Sequence, residues 1–158
     1  MKSQWTKKLW MFRGLPGSGK STAALMQMGR RRHLVVENDD YWQTEKSEYD
    51  YDPEMTHIAG WWCWAEAFRR LRNHDEVAVA NVFCSREVIV GYLEEAARQE
   101  VEVCIVDVMT ADPMMAFRRN QHGVPEETFV SMMAAWSPME AIDPVMYPHV
   151  TVSRIVHG

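Results

Sequence analysis

At 158 residues the chain is long enough to bury a sizeable core and reads most simply as a single domain, 1–158. Its composition, 47% hydrophobic and 25% charged, excludes disorder as the default state, and a net charge of −5 argues against broad, sequence-independent coating of nucleic acid, which relies on many phosphate contacts. No apolar stretch approaches the ~18 residues a bilayer span requires, so no membrane partner is expected. Met1 to Lys8 carries charge with no apolar region after it, which reads as no signal peptide and hence a cytoplasmic protein. Cys63, Cys84 and Cys104 form no C-x-x-C pair and are odd in number, against a disulfide framework and against a zinc site.

Leu9 to Phe12 is a short apolar run that suits a buried first strand. It feeds Gly14-Leu15-Pro16-Gly17-Ser18-Gly19-Lys20-Ser21, a complete G-x-x-x-x-G-K-[ST] phosphate-binding loop, and Ser21 to Gly29 then reads as a helix. The strand-loop-helix setting separates a working loop from a chance match. Glycines let successive backbone N–H groups turn inward onto phosphate oxygens, and the helix offers its positive end to the same anion. Lys20 is of a length to reach the β- and γ-phosphates, and the Ser21 hydroxyl is placed to ligate Mg²⁺. The basic run Arg30-Arg31-Arg32 reads as a solvated helix end or as a phosphate contact.

His33 to Val36 reads as a second strand that delivers Glu37-Asn38-Asp39-Asp40-Tyr41 at its C-terminal end, the edge where open α/β sheets bind ligands. Of the two adjacent carboxylates, one is positioned to accept a proton from an incoming hydroxyl while the other caps the next turn or is solvated. Thr44 to Pro53 is a polar connection or flap. A long helix from Pro53 to Asn73 follows, with Ile58, Trp61, Trp62, Ala65, Phe68 and Leu71 on one face. Trp61, Trp62 and Trp64 cannot all share that face, so at least one is expected to line a cleft or a subunit contact.

Val77 to Val82 is the third strand, Ser85 caps a helix over Arg86 to Gln99, and Val101 to Val108 is the fourth strand. Asp107, near the end of that strand, reads either as a Mg²⁺-associated acid or as structural. Asp112-Pro113 begins a short helix closed by Phe117-Arg118-Arg119-Asn120-Gln121-His122-Gly123, and a second helix runs from Pro125 to Trp136. Helix, basic turn and helix, about 112–136, form a lid able to fold over a triphosphate, with guanidinium groups at the transferred phosphoryl. His149 to Val156 is the last strand. Strands alternating with helices predict an α/β three-layer sandwich around a parallel sheet of about five strands.

The loop, Asp39-Asp40-Tyr41, Tyr49 to Pro53 and Arg118 to Glu127, taken together, resemble a P-loop kinase of the polynucleotide 5′-kinase branch. The chain is similar to the kinase half of the phage-type (T-even) polynucleotide kinase, to the related kinase domain of some eukaryotic ubiquitin-ligase-binding proteins, and more broadly to AAA- and zeta-like P-loop kinases. The similarity runs from about Leu9 to Pro138. It implies ATP and Mg²⁺ as cofactors and a polynucleotide 5′-hydroxyl as acceptor. By position it makes Asp39 the general base, and Gly17, Ser18, Gly19 and Lys20 the phosphate cradle. Ser21 becomes the metal ligand, Thr22 an α-phosphate contact and Arg119 a lid contact. The chain departs from the phage pattern at Trp42, where that enzyme has an arginine, at Asn81-Val82-Phe83, which replaces Asp-Thr-Asn, and at His122, near a second lid arginine. Trp42, Asn81 and Phe83 are thus the expected acceptor contacts, and aromatic groups there suit a nucleoside or nucleotide as well as a strand end. A nucleotide-binding module with little turnover is the remaining alternative.

Overall fold

Alternation along the first strand sets the layering, because neighbouring side chains on a strand point to opposite faces. In β1 (Lys7–Arg13), Leu9 and Met11 enter one core, while Phe12, with Trp10 packed alongside, enters the other. The computed structural model describes residues 5–43, 55–120, 123–139 and 142–158. Its sheet is five-stranded and wholly parallel in the order β2-β3-β1-β4-β5, with β2 Val35–Val36, β3 Glu76–Asn81, β4 Val101–Thr110 and β5 Val150–His157. Helix α1 (Lys20–Gln27) covers one face through Ala24, with Met28 just beyond it. Helices α2 (Thr56–Leu71) and α3 (Arg86–Arg98) cover the other through Cys63, Ala67, Phe68, Ile89 and Leu93. This is the predicted three-layer α/β sandwich. Two short helices, α4 (Pro113–Arg118) and α5 (Glu126–Ala134), stand beyond β4 and meet through Phe117 and Phe129, whose ring centroids are 5.4 Å apart.

Two local expectations change. His33 and Leu34 belong to a 3₁₀ turn, Arg32–Leu34, and only Val35 and Val36 pair with β3. The buried face of α2 is also rotated from the one predicted: Ala59, Cys63, Ala67 and Leu71 form a four-residue ladder against the sheet, while Trp61 is 69% exposed and Ala65 faces solvent. Small residues let the helix lie close to the strands, and a tryptophan at that spacing would hold it away. Trp64 instead packs on Phe68 and donates its indole N–H to Gly91 O at 3.3 Å. The expected flap over Thr44 to Pro53, the Pro53 start of α2, and His122 lie outside the described residues.

Candidate active site

The phosphate loop joins β1 to α1 as its motif requires. Gly17 and Gly19 both adopt positive φ, 83° and 94°, which a side-chain-bearing residue reaches only with strain. A Cβ on Gly17 would also lie 1.9 Å from the carbonyl oxygen of Ala116 in α4, so the backbone of α4 rests directly on the loop. Ser18 N donates to Leu15 O at 3.0 Å to close the turn, and the Ser18 side chain is buried. Gly19 is the N-cap of α1 and brings no side chain to cap it, which leaves the first-turn amides facing outward for an anion. Ser21 and Thr22 lie exposed on that turn. At the end of β5, His157 approaches the same loop, its Nε2 lying 3.5 Å from where a Cβ on Gly19 would be.

Beside the loop, the chain leaving β2 winds into a 3₁₀ turn, Asn38–Gln43, and sorts its acids. Asp40 is structural: its carboxylate accepts from Glu37 N at 3.0 Å and from Arg32 Nη2 at 2.6 Å. Asp39 and Glu37 point into the space around Lys20. Burial pushes the Lys20 ammonium below its ordinary pKa, and the charges of Glu37 and Asp39 oppose that shift. Burial likewise pushes the Glu37 carboxyl up. A hydrogen bond from the Ser21 hydroxyl holds it back, Asp40 adds repulsion, and Arg32 and Lys20 attract. Glu37 was present in the sequence as a strand-end acid, but its place beside Lys20 in one cavity exists only in three dimensions.

A cavity of about 780 Å³ opens over this group, within the range of small-molecule sites. Lys20, Ser21, Glu37 and Asp39 form its polar end, Trp42, Phe83 and Tyr92 its aromatic wall, and Val124, Pro125, Thr128 and Met132, in and just before α5, its opposite side. Trp42 is buried edge-on against Tyr41, and Phe83 against Tyr92 at 5.4 Å. Phe83, two residues past β3, has φ 51°, an uncommon and strained conformation for a bulky residue. Asn81 also borders the cavity, yet its amide is already engaged: Oδ1 accepts from Asn38 N at 2.7 Å, and Nδ2 donates to Cys63 Sγ at 3.4 Å. Asn81 thereby fixes the residue that precedes Asp39.

Arg119 caps the C-terminus of α4 and is exposed, and the next residue's N lies 2.9 Å from a Cβ placed on Gly17. Its backbone is thus beside the phosphate loop, although its side chain is not part of the cavity wall. Asp107 does not line the cavity. In register with the last residue of β1, it lies 3.4 Å from Arg13, and both side chains are almost wholly buried. Arg13 also donates to Ser137 O at 2.9 Å and stacks on Trp136 at 3.7 Å, tying the chain beyond α5 to the sheet. Trp61, Trp62 and Trp64 do not line the cavity.

This sheet order, with a glycine-rich loop after β1 and the backbone of α4 leaning on it, defines the fold of a P-loop kinase. The sequence model of the AAA domain family matches residues 9–139, and the chain belongs to that family. Among solved structures the chain is similar to Kti12 from Chaetomium thermophilum in complex with ADP-AlF3 (TM-score 0.62, 11% identity, covering 94% of this chain and 88% of that one). It is similar to a chain of the Pnkp1/Rnl/Hen1 complex (0.61, 17%, 80% and 43%), of which it spans less than half the length. A gluconokinase from Sinorhizobium meliloti 1021 also shares the fold (0.52, 15%, 96% and 83%). No helix among the described residues is long and apolar enough to cross a membrane.

Proposed function

We propose that the chain is a kinase that transfers the γ-phosphoryl group of ATP to a hydroxyl, with a polynucleotide 5′-hydroxyl as acceptor. The observation that carries this reading is that the phosphate loop and Asp39 face one cavity. The loop amides and Lys20 hold the phosphates. Asp39 takes the proton from the acceptor hydroxyl as its oxygen bonds to the γ-phosphorus, while the bond to the β–γ bridging oxygen breaks and ADP leaves. Arg119 supplies positive charge from the lid as 112–136 closes. Ser21 and the carboxylates near it are hard oxygen donors and suit Mg²⁺, which when bound neutralises phosphate charge. On this reading residues 1–158 are one kinase domain.

A second reading, a nucleoside or nucleotide acceptor, is favoured by the cavity's own wall. Trp42 and Phe83 bring aromatic groups to it, and among the described lining residues Lys20 is the one with a cationic side chain. Transfer from labelled ATP across 5′-hydroxyl DNA and RNA oligonucleotides, nucleosides and nucleotides separates the two. Labelled oligonucleotides support the first, while labelling confined to mononucleosides or nucleotides transfers the assignment to the second. Tight ATP binding without any labelled acceptor identifies a binding module instead. Asp39→Asn should keep ATP affinity and lower turnover by about 10² or more.

A further inference from the structure

Six of the chain's twelve arginines, Arg30, Arg31, Arg32, Arg69, Arg70 and Arg72, fall in two short runs. The fold brings those runs together at the edge of the sheet formed by β2. Arg70, near the end of α2, donates to His33 O at 3.0 Å and to Val35 O at 3.3 Å. Beside these contacts lies a hollow of about 290 Å³ lined by His33, Arg69, Arg70, Asn73 and His74. Each of the five side chains can donate a hydrogen bond, and none is an acid. The two imidazole rings are 5.6 Å apart, and Arg30, Arg31 and Arg72 are exposed in the flanking chain. Asp75, exposed after His74, does not line the hollow.

Local ion pairs leave this region positive. Glu66 holds both Arg69 and Arg70, at 2.5 and 2.9 Å, so two guanidiniums share one carboxylate, while Arg32 is balanced by Asp40 and Glu37. Cations in a last turn complement the C-terminus of a helix, and Lys7 donates to Leu71 O at that end of α2. That role does not extend to Arg30, Arg31 and His33, which come from the connection between α1 and β2. The active cavity has the opposite character: among its described lining residues Lys20 alone is cationic, and it faces the phosphate loop. The phosphates of an acceptor strand must then be met outside the cavity. β2 is two residues long, about 7 Å of rise, and Arg32, in the same 3₁₀ turn as His33, reaches Asp40, the neighbour of Asp39, at 2.6 Å. Resting on the polynucleotide reading above, we propose that the hollow and its flanking arginines form a second binding site, for the phosphodiester backbone of the acceptor strand beyond the 5′ end that Asp39 serves.

The test is fluorescence anisotropy with labelled single-stranded 5′-hydroxyl DNA and RNA of about twelve nucleotides, from about 0.05 to 0.3 M salt. It is run on the whole chain, on R69Q/R72Q, on R69K/R72K and on R31Q, with ADP affinity measured alongside. R69Q/R72Q should bind the oligonucleotide about tenfold more weakly at the lowest salt. Its slope of log affinity against log salt should flatten by about 1.4, which is about 0.7 for each lost phosphate contact. R31Q, from the other run, should flatten the slope by about 0.7 on its own. R69K/R72K keeps the charges and should stay within about threefold of wild type. ADP affinity within about twofold of wild type in every variant certifies that the fold and the phosphate loop are intact. Unchanged affinity and slope in both R69Q/R72Q and R31Q overturn the second site and leave the polynucleotide reading standing. A wild type that binds ADP but neither oligonucleotide overturns both. Anionic vesicles bound in place of the oligonucleotide, and released by R69Q/R72Q, overturn it in favour of a membrane surface.

Discussion

Arg13 and Lys20 both stand at the C-terminal edge of the sheet, and each has carboxylates beside it, yet their surroundings are built to opposite ends. Around Arg13 the structure is closed: Asp107 at 3.4 Å, the Trp136 ring at 3.7 Å and the Ser137 carbonyl leave the guanidinium no exposure to water. Around Lys20 it is open: Glu37 and Asp39 share a cavity with the ammonium, and the loop amides beside it face outward. A buried pair with its partners in place is a fixture of the fold. A partly buried cation and two acids facing empty volume form a set whose energies an incoming phosphate or proton can change. Position at a strand end therefore does not define a catalytic acid; what the acid already touches does.

Breaking the open side should have the largest effect. Lys20→Ala removes the charge that cradles the β- and γ-phosphates, so phosphoryl transfer should fall by about 10³ or more and ADP affinity should drop with it. Activity near the wild-type rate would undo the site assignment. The closed side should answer in stability instead. Arg13→Met takes the buried cation away from a carboxylate that is 2% exposed, and the expected loss is about 3–5 kcal/mol in urea unfolding. Arg13→Met combined with Asp107→Leu should recover most of that loss, because two apolar groups leave no buried charge. A double variant no more stable than Arg13→Met would show that the two residues do not act as a pair.

The contrast also marks what was legible in the chain. The phosphate loop is a contiguous motif whose residue types carry the mechanism, so Gly17, Gly19, Lys20 and Ser21 could be read directly. The parallel sheet followed from apolar strands alternating with amphipathic helices, and Trp42 and Phe83 stood out as departures from the phage pattern. Pairings between distant segments left no such trace. Arg13 and Asp107 meet through the register of β1 on β4, and Glu37 and Lys20 reach one cavity from β2 and α1. In α2, both 58/61/65 and 59/63/67 fit helical periodicity, and only close approach to the sheet selects the small-residue ladder.

Glu37 sharpens the comparison further, since an acid buried beside the cavity can cost stability. Burial raises its carboxyl pKa above the ordinary 4.5, so the folded state binds more protons than the unfolded state across that interval. Stability attributable to this group therefore falls as pH rises from the ordinary carboxyl value through the raised one, and stays lowered above it. Glu37→Gln should unfold at a slightly higher temperature than wild type at pH 7, and this advantage should vanish as pH falls toward 4. A thermal melt series from pH 4 to 8 measures it, and a variant less stable than wild type at pH 7 would place Glu37 with the structural acids.

The smallest effect concerns the second arginine near Asp107. Arg154 of β5 approaches Oδ2 at 4.0 Å, but its side chain is 51% exposed while that of Arg13 is 1% exposed. Water and salt screen a half-exposed guanidinium, and holding the long side chain in place costs rotamer entropy, so its net worth should be that of a surface pair. Arg154→Ala is expected to cost no more than about 1 kcal/mol, with the difference from wild type shrinking as salt is raised from 0.05 to about 0.5 M. The effect of Arg13→Met should barely respond to the same salt. If Arg154→Ala were as damaging as Arg13→Met, the charge on Asp107 would be balanced from the sheet edge as much as from β1, and the closed side would be less closed than its burial indicates.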